Sequence, residues 1–175
     1  MTLPHAPLAV PDSDPAAAPL PPPDSDDLIC PAADIIDAAA LCLRLDLAVA
    51  TADDGKAVRV AAVRELGAAR DAGNAALRAA FAARPRDARP LIRAQAWLTD
   101  GLILAALHVA TSHLHPLPNP TSSERIAVLA VGGCGRAEMA PHSDVDLLFL
   151  TPYKVTPWAE SVIESMLYML WDLKL

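Results

Sequence analysis

Residues 126–150 read IAVLAVGGCGRAEMAPHSDVDLLFL, and this stretch decides which fold the rest of the chain supports. An apolar run leads into a glycine turn, and a second apolar run follows the acidic D-V-D sequence at 144–146. Apolar runs of about 4–8 residues bounded by turn signals are typical of strands buried on both faces. We therefore predict buried strands over 126–131 and 145–150, with a short helix over 135–140 between them.

The acidic sequence is the first candidate site. Asp144 and Asp146 are two positions apart at the start of a strand, so their side chains are expected on one face. Neighbouring carboxylates repel each other unless a cation lies between them, and oxygen ligands suit Mg²⁺ or Mn²⁺. Such metals neutralise the charge that develops during phosphoryl transfer. The pair is therefore predicted to be catalytic and to bind a divalent metal.

The glycine turn suggests a phosphate site beside these carboxylates. Gly132 and Gly133 allow backbone amides at the start of a helix to approach a phosphate closely. Arg136 is expected to add a permanently charged contact and Ser143 a hydroxyl donor. Each feature alone has an ordinary explanation as a turn, a cap or a solvated face. Their order along one stretch favours nucleotide binding.

Other interpretations of the same stretch fail. No G-x-x-x-x-G-K-[ST] is present, which excludes a P-loop, and Glu138 replaces the third glycine of a dinucleotide-binding turn. Cys134 has no identifiable partner histidine, so we interpret it as a buried packing residue rather than a nucleophile.

The remainder of the chain predicts helices after an unstructured start. Residues 1–31 alternate proline with small and acidic residues, which predicts a disordered tail. Residues 32–120 are predicted as a helical region and residues 121–175 as the partial core that holds the site. The last helix is expected to begin with Thr156 as its N-cap and Pro157 at its first position, and to pack on the sheet.

Helical periodicity predicts three helices before the site. The first covers about 32–51, the second about 56–83, and the third follows Asp87 as a candidate N-cap. In the first helix, the residues expected to be buried are Ile35, Ile36, Ala39, Leu43 and Leu47. In the second, they are Val60, Val63, Leu66, Leu77 and Phe81. In the third, they are Leu91, Ala94, Leu98, Leu102, Ala105 and Val109.

Composition excludes several classes of protein. A formal net charge of −7 argues against a nucleic-acid partner, because binding phosphates requires clustered cations. The three cysteines are widely spaced without C-x-x-C, so a reduced cytoplasmic location fits best. No secretory signal or apolar run of about 20 residues is present, so no membrane association is expected.

Three histidines cluster in sequence near the end of the third helix. His108, His113 and His115 are not spaced i,i+4, and one helix face cannot present all three. We therefore interpret them as helix-end histidines and predict no metal site there.

The motif GGxGRxExxPxSDxDL at 132–147 resembles the nucleotidyltransferase signature of the bacterial PII uridylyltransferase/uridylyl-removing enzymes. These belong to the DNA polymerase β-like superfamily, which implies an α/β (α+β) fold, here a helical part followed by the start of a mixed sheet with flanking helices. Residues 93–102 and 167–173 are similar to the helices that flank the family's core.

The resemblance implies transfer of UMP from UTP to a tyrosine of the PII signalling protein, with release of pyrophosphate. Asp144 and Asp146 would hold Mg²⁺ or Mn²⁺, while Gly132, Gly133 and Ser143 would contact the triphosphate. The family takes a third carboxylate from a later strand, which is not found after Asp146, so we expect the chain to be a fragment. Two alternatives remain open: a glutamine-synthetase adenylyltransferase-like enzyme, and an inactive regulatory nucleotide-binding module.

Overall fold

The computed structural model describes residues 27–175 as a mixed α/β fold, which confirms the predicted class. Helices dominate, and one two-stranded antiparallel sheet lies beside them. The elements in chain order are α1 (Ala32–Ile35), α2 (Ala38–Val49), α3 (Gly55–Ala83), α4 (Ala88–Val109), the π-helix (Ala110–Leu114), β1 (Ala127–Ala130), α5 (Gly132–Gly135), β2 (Leu147–Leu150) and α6 (Pro157–Asp172).

The first predicted helix, over residues 32–51, is broken in two. Ile36 is extended, and the helix restarts after Asp37, whose side chain accepts a hydrogen bond from the amide of Ala40 at 2.9 Å. The restart changes the helical phase, so the predicted buried face is correct for Ile35 and Ile36, which are 3% and 7% exposed, and wrong from Ala39 onward. Leu43 and Leu47 are 66% and 76% exposed. The residues of α2 that are buried are Leu41, Leu45 and Val49.

The second and third predicted helices are largely confirmed. In α3, Leu66 and Leu77 are buried as expected, whereas Val60 is 63% exposed. In α4, the buried residues include Ala94, Leu98, Leu102, Ala105 and Val109. Asp87 occupies the N-cap position, but its side chain makes no capping bond and instead pairs with Arg84 at 3.4 Å.

The last helix begins as predicted. The Thr156 hydroxyl accepts a hydrogen bond from the amide of Ala159 at 3.2 Å, and Pro157 is the first helical residue. Its buried face packs chiefly against α3, α4 and the π-helix rather than on the sheet. The buried side chains of α6 belong to the same hydrophobic core as those of the preceding helices. That core therefore extends across the domain boundary expected at residue 120.

Most of the predicted disordered tail is not covered by the structure. Residues 1–26 lie outside the described residues. Leu28 and Ile29, also assigned to the tail, are 4% and 1% exposed and join the core. The buried core of the described residues therefore begins before residue 31. Among the described helices, none combines the length and apolar character needed to cross a membrane.

The sheet positions the candidate site, although it is less buried than predicted. Ala130 pairs with Leu147, and Leu129 pairs with Leu148. Leu129 and Leu148 are 41% and 46% exposed, whereas Phe149 is half-buried against the helical core. Burial on both faces was the wrong expectation, since helices of the described chain cover only one face of this antiparallel pair.

Candidate functional site

The site forms where β1 leaves the sheet. The amide of Val131 donates a hydrogen bond to the carbonyl of Asp146 at 3.0 Å, which continues the pairing one step beyond Ala130 and Leu147. Since this bond aligns the end of β1 with the start of β2, the residue after Val131 lies beside the Asp146 side chain. Backbone pairing therefore joins the glycine turn to the acidic sequence.

Gly132 makes this approach possible. Its φ is +61°, a conformation that other residues adopt at a cost, and a Cβ built on it would lie 2.6 Å from Oδ2 of Asp146. A side chain here would both strain the backbone and displace the carboxylate. Gly132 and Asp146 are therefore in contact although they are 14 positions apart in the sequence.

The turn after Gly132 is a single short helix, not the helix expected over residues 135–140. The amide of Gly135 donates to the carbonyl of Val131 at 2.9 Å, and the amide of Glu138 donates to that of Gly133 at 2.9 Å. Ala137 then has a φ of +54°, which ends the helix. The amides of Gly132 and Gly133 precede the first intrahelical bond, so they are free of intrahelical acceptors.

Helix α4 packs against the residues of the glycine turn. Cys134 and Met139 are buried against Ala96, and the amide of Met139 donates to the carbonyl of Ile92 at 3.3 Å. Burial, with the nearby charges of Asp100 and Asp146, raises the pKa of Cys134 to about 11. The thiol is therefore protonated at neutral pH and unreactive, which confirms its interpretation as a packing residue.

The predicted carboxylates lie on the exposed side of the strand. Asp144 and Asp146 are exposed, while Val145 between them is half-buried, so exposure alternates as in a strand. The regular strand nevertheless begins only at Leu147. The two carboxylates offer oxygen ligands alone in an open position, and this donor set fits a hydrated Mg²⁺ or Mn²⁺.

The two remaining predicted residues lie on exposed turns. The Arg136 side chain is 66% exposed, and its Nε lies 3.4 Å from Oε2 of Glu138. Ser143 is exposed, and its amide donates to the carbonyl of Ala140 at 3.1 Å. Within residues 27–175, no hydrogen bond or ion pair links Arg136 to either aspartate. The structure brings Gly132 to Asp146 but leaves Arg136 with Glu138.

Sequence reasoning missed one carboxyl group near the site. Asp100 is half-buried on α4, and burial raises its pKa to about 6. Its charge and that of Asp146 both act on Cys134, so all three groups share one electrostatic environment. The available signal was a lone acidic residue within the otherwise apolar run of α4.

Fold and site together define a mixed α/β protein that holds a carboxylate pair beside a glycine turn, at the end of a small antiparallel sheet.

Curated proteins identify the relatives of this chain. It is 65% identical over 150 residues to the bifunctional uridylyltransferase/uridylyl-removing enzyme of Cereibacter sphaeroides, covering 85% of this chain and 16% of that protein. The enzyme of the same name from Ruegeria pomeroyi is 59% identical over 141 residues, covering 81% of this chain and 16% of that protein. The one from Azospirillum brasilense is 44% identical over 131 residues, covering 75% and 14%.

The expected resemblance is therefore confirmed: the chain is homologous to one segment of the bifunctional uridylyltransferase/uridylyl-removing enzymes. It spans about 16% of the length of the first curated relatives. No family model matches the chain. No solved structure matches it significantly.

Proposed function

We propose that this chain carries the nucleotide- and metal-binding part of a uridylyltransferase, which transfers UMP from UTP to a tyrosine of the PII signalling protein. The contact between Gly132 and Asp146 is the observation that carries the proposal, because it joins a phosphate-binding turn to a metal-binding carboxylate. The names of the relatives support uridylyl transfer as the reaction.

The chemistry follows from what each group can do. Asp144 and Asp146 would hold Mg²⁺ or Mn²⁺, which neutralises charge on the phosphates during transfer. The amides of Gly132 and Gly133 would donate to phosphate oxygens, because the start of α5 leaves them without intrahelical acceptors. The tyrosine oxygen would bond to the α-phosphorus of UTP as the bond to pyrophosphate breaks, and the hydroxyl proton would pass to solvent.

Ser143 and Arg136 are proposed to contact the nucleotide from the exposed turns that flank the carboxylates. Binding by Arg136 requires its guanidinium to leave Glu138. This exchange costs little, since exposed ion pairs contribute about 0–1 kcal/mol. Arg136 is therefore available to a triphosphate even though it is paired in the described structure.

Nucleotide binding by the 175-residue chain tests the first half of the proposal. UTP and ATP are titrated in the presence of Mg²⁺ or Mn²⁺, using the wild-type chain and the Asp144→Asn/Asp146→Asn variant. A matched control, Asp53→Asn/Asp172→Asn, removes the same number of charges from exposed positions elsewhere. We expect UTP binding that the control keeps and the site variant loses. Equal binding by the site variant, or a preference for ATP, would contradict the proposal.

The acceptor is tested separately with PII and UTP labelled in the α-phosphate. Label should appear on PII together with released pyrophosphate, and Asp144→Asn/Asp146→Asn should abolish both. Label that persists in this variant would exclude the two carboxylates as the metal ligands of the reaction. Binding of UTP by the chain without any label on PII would refute transfer by this chain and leave nucleotide binding intact.

A further inference from the structure

A cluster of three metal-ligating side chains joins α2 to the end of α4. Nε2 of His108 and Nε2 of His113 each lie 2.7 Å from the same oxygen, Oδ1 of Asp46. One ligand atom from each residue lies within 4.8 Å of the other two. Among the described residues, this is the one group of three or more His, Cys, Asp or Glu side chains whose ligand atoms lie close enough together to hold a metal ion.

The π-helix explains why both histidines face Asp46. His108 and His113 are five positions apart, and an α-helix would rotate them roughly 140° away from each other at about 100° per residue. In the π-helix Ala110–Leu114 the hydrogen bonds span five residues, as from the amide of His115 to the carbonyl of Ala110 at 2.9 Å. This wider turn lowers the rotation per residue, so His113 comes round toward the side of the helix on which His108, near the end of α4, faces Asp46. π turns often occur at functional sites.

The α-helical spacing that led us to predict no metal site here does not hold through the π-helix. The prediction also grouped three histidines. The structure separates them, since His115 Nε2 lies 2.8 Å from Ser165 Oγ and takes no part in the cluster. Asp46, which belongs to another helix, supplies the third ligand, and nothing in the local sequence connects it to the histidines.

We propose that Asp46, His108 and His113 form a binding site for a divalent transition metal ion such as Zn²⁺. Two imidazoles and a carboxylate form a donor set that suits Zn²⁺ and its neighbours, whereas Mg²⁺ prefers oxygen ligands alone. The side chains are 31%, 25% and 41% exposed in the order His108, His113 and Asp46. Water can therefore reach the ion and complete a four-coordinate shell.

The ring nitrogens that lie beside Asp46 can exchange a hydrogen bond for a metal bond. Without metal, a hydrogen on each Nε2 bonds to Asp46 Oδ1, and metal binding requires that hydrogen to leave. A neutral imidazole can carry its proton on Nδ1 instead. The Ser112 hydroxyl lies 3.5 Å from Nδ1 of His108, where it can accept that N–H and hold the ring in place.

The carboxylate is also ionised and ready to bind. The hydrogen bond from His108, with that from His113, keeps the pKa of Asp46 below its ordinary value although burial opposes this. A bound ion would fix α2 to the end of α4, independently of the nucleotide site.

Cobalt titration of the 175-residue chain tests the site, because Co²⁺ takes the place of Zn²⁺ and gives visible absorption bands. The metal-free wild-type chain should develop these bands at one equivalent and lose them when Zn²⁺ is added. His113→Gln and Asp46→Asn should each weaken binding by at least about tenfold, the loss that removal of even an outer-shell partner produces. His115→Gln is the matched control, since it removes a neighbouring imidazole outside the cluster.

The nucleotide-site variant Asp144→Asn/Asp146→Asn is a second control and should bind Co²⁺ like wild type. Loss of the bands in this variant, or in His115→Gln to the same extent as in His113→Gln, would overturn the proposal. A measurement on wild type alone guards against misfolded variants. Zn²⁺ should raise its unfolding temperature by linkage, because the ion binds the folded chain. Absence of both the bands and this rise would refute the site.

Discussion

The helical bundle, formed by α1 to α4, the π-helix and α6, and the segment of strands and turns at 127–150 differ in how deeply their side chains are buried. In the bundle, Leu41, Leu66 and Leu102 are fully buried, at 0% exposure each. Every residue of β1 and β2 is exposed or half-buried. Packing therefore stabilises the bundle, whereas the segment leaves its polar groups exposed to solvent. Substitutions in the two regions should therefore affect different measurements.

The largest expected effect is a matched pair of leucine truncations. Leu102→Ala should destabilise the chain by about 2–5 kcal/mol, because it removes buried methyl groups and leaves a cavity in the core. Leu148→Ala, at a position 46% exposed, should cost less than about 1 kcal/mol. Urea denaturation followed by circular dichroism measures both. Similar losses at the two positions would remove the distinction between the regions.

Two glycines within α3 sharpen the picture of the bundle. A Cβ on Gly73 would lie 2.5 Å from Cδ1 of Leu98 and 2.7 Å from the Ile35 carbonyl oxygen, whereas one on Gly67 would make ordinary contact at 3.8 Å. Gly73→Ala should therefore destabilise by about 1–3 kcal/mol through overpacking. Gly67→Ala should stabilise by up to about 1 kcal/mol, because alanine favours the helix. The same denaturation assay decides, and equal signs would refute the close packing at Gly73.

Asp100 lies where the two regions meet, and its burial predicts a pH effect. Its folded pKa of about 6 is above its ordinary 3.8, so the folded chain binds an extra proton between these values. Stability should accordingly fall as pH rises through this window. Asp100→Asn should remove that fall and stabilise the metal-free chain at pH 7 by about 1–2 kcal/mol, allowing for partial exposure.

Unfolding measured at about pH 4 and pH 7 tests this prediction, since pH 4 lies near the lower end of the window set by the two pKa values and pH 7 lies above it. The variant and wild type should differ at the higher pH and converge at the lower one. Asp71→Asn is a suitable control, because its side chain is 70% exposed on α3. If wild type lost less stability than Asp100→Asn between pH 4 and pH 7, the sign of the effect would be reversed and the prediction contradicted.

Gly132→Ala is expected to change stability only slightly. The positive φ costs alanine about 1 kcal/mol, and the Asp146 carboxylate, being exposed, can move away from the new methyl group. Binding should suffer more than folding, because the displaced carboxylate belongs to the proposed metal site. Comparison of UTP titration with denaturation measures the two effects. Unchanged UTP binding would show that the contact is incidental.

Local patterns in the sequence predicted much of this structure. The α4 face was correct because apolar residues recur through an uninterrupted helix, and the start of α6 was correct because Thr156 and Pro157 are strong local signals. The α2 face was wrong because one extended residue, Ile36, shifts the phase of everything after it. The spacing of apolar residues predicts the buried face of a helix only when the helix is unbroken.

The motif at 132–147 and the family it indicates can be recognised from the sequence alone, because both depend on residue types at fixed spacing. The contact of Gly132 with Asp146, the nearby position of Asp100, and the meeting of Asp46 with two histidines from another helix are visible only in the tertiary structure. Such pairs are set by strand register and by a π turn. Both depend on packing between distant segments, which no short stretch of sequence encodes.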